Sequence, residues 1–250
     1  MSVYKRDDDQ PGARMALPPL TRAMAASIAV LGGVWILAAL LAAFPLGASG
    51  GGALGWFEGL ALVPARTVER HQYWRLVTYA LLHDPRSLAA PVFTALTLWL
   101  FGGAMEAAWG LRRLAVMALV SSVTAALVVV LGGHLYLPWW QEVTLSPTAF
   151  ESALVVAWCV VHGARTVSFF GMVQLTGRKL ALLTLGLGLV GFAMSRSGQA
   201  MASLVGMGVG WAFAWRARFR PQPAPRRSRL HAMSSPRLRV LDGGRDDLPN

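Results

Sequence analysis

The chain has 250 residues, of which 55% are hydrophobic and only 14% are charged, and its mean hydropathy is +0.48. This composition is too apolar for a water-soluble domain of this size, so it excludes an ordinary soluble enzyme. The net charge of +11 comes from basic residues at the two ends and in short connectors, which is typical of membrane topology rather than of a nucleic-acid-binding surface.

Six apolar stretches approach the length of a membrane span, which needs about 20 mostly apolar residues. We therefore predict an all-α, multi-pass membrane domain of six helices over residues 23–216, preceded by a polar segment, residues 1–22. The fourth and fifth helices are short for a span, so we expect them to be tilted, extended into the interface or shielded from lipid. The predicted helices cover residues 23–46, 89–108, 114–131, 147–161, 180–194 and 199–215.

The distribution of lysine and arginine predicts the orientation, because cytoplasmic loops carry an excess of these residues. Basic residues precede the first helix, follow the sixth, and lie in the connectors after the second and fourth helices, whereas residues 134–145 contain none. We expect both termini to be cytoplasmic and the protein to lie in the cell membrane. The Pro- and Arg-rich segment 217–250 is predicted to be a disordered tail that faces anionic headgroups.

The connector 47–88 differs from an ordinary loop, because aromatic and aliphatic residues in it are separated by single polar residues. Its most regular part runs from Tyr73 to His83, with the sequence YWRLVTYALLH. Such a pattern favours a position in the membrane interface, where Trp and Tyr can keep one end in water.

Glycine and alanine spacing predicts close contacts between helices. Gly102, Glu106 and Gly110 lie four residues apart on one face of the second helix, where glycines would admit another backbone and the carboxylate would need hydrogen-bond donors. A solvated helix end is the alternative explanation. Two further stripes predict that the fourth and sixth helices pack together, unless they arise by chance in apolar sequence: Ala149, Ala153 and Ala157, and Ala202, Gly206 and Gly210.

No metal or cofactor is expected. Cys159 is the only cysteine in the sequence, so neither a disulfide nor a thiolate metal site can form within one chain. The G-x-G-x-x-G string at 186–191 lies inside an apolar helix with no preceding strand, so it does not indicate a dinucleotide site. The remaining candidates share no metal-ligand spacing: His71, His83, His134 and Glu142.

Taken together, the connector motif and the second helix resemble the rhomboid superfamily of intramembrane serine proteases and their inactive relatives. The likeness is carried by residues 73–83, by LWLFG at 98–102 and by the G-x-x-x-E-x-x-x-G pattern that ends at Gly110. It implies the six-helix fold and a connector that lies partly in the outer leaflet and braces the core, so Trp74 and Arg75 are expected to be structural.

The resemblance also implies where catalytic residues would lie. Active members have a serine in a G-x-S-G motif at the start of the fourth helix, a histidine base on the sixth, and a histidine and an asparagine on the second that hold the oxyanion. The matching positions here are Ser146, Gln199, Ala90 and Thr94. Glutamine cannot accept a proton from serine at physiological pH, and the two oxyanion positions have lost or weakened their donors.

These replacements favour a pseudoprotease that binds transmembrane clients without cutting them. Ser146 precedes Pro147, which is typical of a helix N-cap followed by proline at the first helical position. The alternative is an active intramembrane serine endopeptidase that uses Ser146 with another base, for which His83 and His134 are candidates, although both are expected at the membrane interface. A transporter is a third possibility, but the helices contain no buried carboxylate pair that would mark an ion path.

Overall fold

The structure is a computed structural model that describes residues 20–43, 55–163, 166–169 and 173–218. Within it, the apolar stretches of the sequence form helices at all six predicted positions. The predicted N-terminal segment and tail lie almost wholly outside these residues, as do residues 44–54 of the connector. The helices in chain order are α1 (Arg22–Ala43), α2 (Gly55–Leu60), α3 (Pro64–Glu69), α4 (Arg75–Thr78), a 3-10 turn (Tyr79–Leu81), α5 (Ala89–Thr97), a π-helical turn (Leu98–Gly102), α6 (Gly103–Trp109), α7 (Leu111–Leu135), α8 (Leu137–Trp140), α9 (Thr148–Val161), α10 (Gly177–Ser195) and α11 (Gly198–Arg218).

Four helical stretches within the described residues are long and apolar enough to cross a bilayer: α1, the continuous stretch from α5 to α6, α7 and α10. Their outer surfaces are themselves apolar, as Leu182 on α10 and Leu131 on α7 are 70% and 64% exposed. A helix that is apolar on all sides requires an apolar surrounding, which lipid supplies. The chain is therefore an integral membrane protein. That α9 and α11 also span the bilayer remains a prediction.

Helix α9 is only 14 residues long and lies at the centre of the bundle, where it contacts α5, α7, α10 and α11. Ala153, Leu154 and Ala157 on this helix are fully buried. Because neighbouring helices cover α9, it can be shorter than a helix that faces lipid over its whole length.

A β-hairpin between α9 and α10 departs from the all-helical prediction. Strand β1 (Thr166–Phe169) pairs with strand β2 (Val173–Thr176) in antiparallel register, with Thr166 opposite Thr176. Polar and apolar residues alternate in both sequences, TVSF and VQLT, and this period of two is typical of strands. The prediction missed the hairpin because it considered only apolar runs of membrane-spanning length.

Candidate functional site

Arg75 holds the connector together from a buried position, where only 2% of the residue is exposed. Its guanidinium donates to the Gln72 side-chain oxygen at 2.7 Å, to the Glu58 carbonyl at 2.7 Å and to the Ala61 carbonyl. The neighbouring Trp74 ring is 53% exposed and donates from Nε1 to the Gly59 carbonyl at 3.2 Å. One cation therefore ties α2 and α4 into a folded unit.

The connector is joined by backbone hydrogen bonds to the segment that precedes α9. Leu62 and Thr144 exchange both bonds of an antiparallel bridge, at 3.1 and 2.8 Å, and the Ser146 amide donates to the Tyr79 carbonyl at 3.1 Å. These bonds position Ser146 beside the connector.

Ser146 has a backbone φ of +91°, a region that side-chain-bearing residues seldom adopt and that glycine tolerates. It does not form the predicted N-cap, because Pro147 occupies the cap position and α9 has no side-chain cap bond. The reason is conformational, since an N-cap residue usually has extended backbone angles and Ser146 is left-handed.

Gln199, at the position that the resemblance assigns to the base, bridges α11 to both sides of Ser146. Its Nε2 donates a hydrogen bond to Thr148 Oγ1 at 2.9 Å, and its Oε1 accepts a hydrogen bond from the Leu145 amide at 3.2 Å. Both ends of the amide are thus engaged in hydrogen bonds that join α11 to the start of α9. An amide in this place stabilises the helix pair, but it is not a base that could remove the proton of a serine hydroxyl.

His83 is fully buried, and its partner is Thr94 rather than Ser146. His83 Nε2 lies 2.8 Å from Thr94 Oγ1, and the same hydroxyl bonds Glu151 Oε1 and lies 3.1 Å from the Ala90 carbonyl. The burial follows from tertiary packing, since Thr94 and Glu151 together provide a polar environment inside the bundle.

The protons of this network can be assigned from donor and acceptor capacity. A hydroxyl can donate only one hydrogen bond. Thr94 can donate it to the Glu151 carboxylate and can accept a hydrogen bond from the Nε2–H of His83. Burial lowers the pKa of His83, which favours the neutral imidazole. His83 Nδ1 is then the acceptor nitrogen, and it has no hydrogen-bond partner among the described residues.

Thr94→Val is expected to destabilise the protein by about 1–3 kcal/mol, because it leaves His83 Nε2 and Glu151 Oε1 without their shared partner in a buried place. Thr94→Ser keeps the hydroxyl and is the matched control, which should lose much less. Thermal unfolding of both purified variants in detergent checks this, and equal melting temperatures would contradict the assignment.

The glycine and glutamate pattern of the second helix serves two separate purposes. Glu106 accepts a hydrogen bond from the Thr21 hydroxyl, and a Cβ on Gly102 would lie 3.1 Å from Met24 Cγ, so both contact the start of α1. Gly110 instead forms the turn between α6 and α7, with φ of +79° and open space around it. Gly102 and Glu106 therefore join the π-helical turn and α6 to the start of α1. Gly110 is needed for its backbone conformation and not for close packing.

The small-residue stripes of α9 and α11 lie against each other. A Cβ on Gly206 would be 2.7 Å from Ala149 Cα, and one on Gly210 would be 2.6 Å from Ala153 Cα. Ala157 and Ala202 are also buried. The contact includes a hydrogen bond between two serine hydroxyls, Ser152 and Ser203, at 2.7 Å.

A largely apolar groove of about 500 Å³ opens beside Ser146. It follows α7 from Leu111 to Ser122 and is closed by α1, by the connector and by the start of α9, where Pro147 and Phe150 line it. Its polar lining is limited to serine hydroxyls, so it suits an apolar occupant. We call this cavity the lateral groove.

Two acidic residues have roles that the sequence did not predict: Glu151 was not a candidate, and Glu142 was named only among the metal-ligand candidates. Glu151 lies in an otherwise apolar helix, and a carboxylate in such a segment is a signal of function or of a specific partner. Glu142 accepts the Gly198 amide proton with both oxygens, at 3.0 and 2.9 Å, and so caps the start of α11. That pairing joins residues 56 positions apart, which spacing alone does not reveal.

The candidate metal ligands are separated in the structure. His71 Nδ1 bonds the Tyr73 hydroxyl at 3.0 Å, and the His134 ring packs on Trp140 with centroids 4.4 Å apart. Over the described ranges, no three His, Cys, Asp or Glu residues form a group that could hold a metal ion.

Comparison with protein families gives a match over most of the chain. The model of the family described as "Eukaryotic integral membrane protein (DUF1751)" covers residues 25–222, and so includes almost all of α1 and every later helix to the end of α11. A search of curated proteins finds no match to the chain.

Proposed function

The chain belongs to the eukaryotic integral membrane protein family DUF1751, and we propose that it is a rhomboid-like pseudoprotease that binds transmembrane segments of other proteins without cleaving them. We further propose that it has six membrane-spanning helices, with α9 and α11 as the fourth and sixth, and that both termini are cytoplasmic. The basic residues near the ends of the helices support this orientation, among them Arg22, Arg112, Arg178 and Arg216.

The observation that carries the proposal is the pairing of side chains around Ser146. Serine is a weak nucleophile unless an adjacent base takes its proton. Gln199 holds the place of that base with both ends of its amide engaged, and His83 is committed to Thr94. No hydrogen bond joins Ser146 to a histidine in the part of the chain that the structure describes.

The lateral groove supports the binding half of the proposal. It is apolar, it lies along the membrane-spanning helix α7, and it reaches the segment that holds Ser146 through Pro147. In a lipid surrounding, helices associate through close packing rather than through the hydrophobic effect, so a preformed groove favours a partner of complementary shape. A transmembrane segment of a client would pack there without any chemical step.

One observation favours a second candidate function, a protease that uses Thr94 as its nucleophile. Thr94 Oγ1 and His83 Nε2 lie 2.8 Å apart, within reach for proton transfer. However, Glu151 also bonds this hydroxyl, and only 2% of Thr94 is exposed. A nucleophile must reach its substrate, and this one is enclosed by its own network.

Site-specific photo-crosslinking tests the binding proposal. A benzophenone amino acid at Leu119 or Leu81, which line the lateral groove and are 52% and 45% exposed, is expected to capture single-span proteins in proteoliposomes. Leu187 on α10 is the matched control, since it is 64% exposed and lies outside the groove.

Capture at the groove positions should be several-fold above capture at Leu187 and should fall when an unlabelled single-span protein is added in excess. Equal capture at all three positions, without competition, would mean that contacts reflect random collision in the bilayer, and would contradict the proposal.

A further inference from the structure

A second cavity, of about 540 Å³, lies between the end of α9, the start of α10 and the last third of α11. Most of its lining is apolar, including Val161, Ala181, Leu182 and Trp211. Among the described residues that line it, Arg178 is the one with a charged side chain. These residues therefore place apolar side chains beside a positive charge, at the opposite end of α9 from Ser146.

Arg178 is placed at the edge of this cavity by the fold. It lies in the first turn of the membrane-spanning helix α10, its amide donates to the Gly163 carbonyl at 3.3 Å, and its side chain passes over Gly163. A Cβ on Gly163 would approach Arg178 Cγ to 3.5 Å. Within the described ranges the guanidinium has no hydrogen-bond or ion-pair partner, and Lys179 adds a second exposed cation in the same turn.

Trp211 lines the opposite wall and indicates the level of the cavity in the membrane. It is 51% exposed and stacks on Trp215 one turn later, with centroids 5.5 Å apart and planes at 27°. Tryptophan is enriched where hydrocarbon meets headgroups, and the first turn of a spanning helix lies at the same level. The cavity thus opens where lipid headgroups and the first methylenes of acyl chains are found.

We propose that this cavity binds an anionic phospholipid, with the lipid phosphate on Arg178 and Lys179 and an acyl chain along Leu182 and Trp211. Guanidinium groups bind phosphate through paired hydrogen bonds, and a positive charge beside an apolar cavity at this level favours an anionic lipid. The site does not depend on the pseudoprotease assignment.

Native mass spectrometry of the full-length protein tests the site. Detergent-purified protein is titrated with phosphatidylglycerol, or with phosphatidylcholine of the same acyl chains, and retained lipid is counted. The wild-type protein should retain phosphatidylglycerol preferentially, and Arg178→Gln should weaken the first binding event about fivefold. Arg196→Gln, which changes an exposed arginine just after the other end of α10, is the matched control and should leave retention unchanged.

Two further measurements separate the proposed site from general charge attraction. Ala181→Trp should fill the slot and reduce retention while both cations remain, and its melting temperature reports whether the fold is intact. Glycerol phosphate, which has the phosphate but no acyl chains, should not displace the bound lipid. Equal loss in Arg178→Gln and Arg196→Gln, or full retention in Arg178→Gln, would overturn the proposal.

Discussion

Gly206→Ala is expected to lower the free energy of unfolding by about 3 kcal/mol, although alanine is ordinarily the better helix former. The added methyl carbon would lie 2.7 Å from Ala149 Cα and still closer to the carbonyl of that residue. Backbone atoms cannot move aside as a flexible side chain can, so α9 and α11 would have to separate along their contact. The same argument applies to Gly210 and Ala153.

Gly208→Ala is the matched control, since it lies on the same helix and a Cβ there would meet nothing within 4 Å. This variant should be neutral or slightly more stable, so the two substitutions are expected to have opposite signs. The melting temperature in detergent should fall by about 10 °C for Gly206→Ala, on the usual relation between stability and melting. If Gly206→Ala has the same melting temperature as the wild-type protein, α9 and α11 do not pack at the distance described.

Arg75→Met is expected to destabilise the protein by about 3–5 kcal/mol, the other large effect. The change removes the donor to the Glu58 and Ala61 carbonyls and to Gln72, and leaves these acceptors inside the connector without partners. Arg75→Lys should recover only part of the loss, because a single ammonium group cannot reproduce the fork of the guanidinium.

Arg66→Met is the comparison variant, because the Arg66 side chain is 43% exposed and lies 4.0 Å from Glu58 across solvent. Its effect should stay within about 0.5 kcal/mol. Thermal unfolding, together with the rate at which a protease cuts the connector, measures both variants. A connector that resists proteolysis equally in Arg75→Met and Arg66→Met would contradict the bracing role of Arg75.

Helix positions were predictable because length and hydropathy determine them locally. Residues 111–135 form a helix longer than the predicted 114–131, as the polar ends of a span do not stop backbone hydrogen bonding. The two strands show the converse, since polar and apolar residues alternate in 166–169 and 173–176 but each run is only four residues long.

The polar contacts of the site were less predictable, because they join residues that are distant in sequence. Thr94 and Glu151 lie 57 residues apart, and only the packing of α5 on α9 brings them together with His83. The left-handed backbone of Ser146 is likewise imposed by its bond to Tyr79 and not by its own preference. The resemblance to rhomboids assigned Gln199 to the position of the base, but the sequence did not predict that its amide bridges Leu145 and Thr148.

Peptide-bond cleavage in proteoliposomes tests most directly whether the hydroxyl groups of this site are catalytically silent. The wild-type protein, Ser146→Ala and Thr94→Val would be reconstituted with a panel of single-span substrates, and cleavage products and labelling by a fluorophosphonate probe would be measured. The pseudoprotease proposal predicts that none of the three exceeds protein-free liposomes. Cleavage by the wild-type protein above the level of protein-free liposomes would contradict it, and loss of that cleavage and of probe labelling in Ser146→Ala would identify Ser146 as the nucleophile.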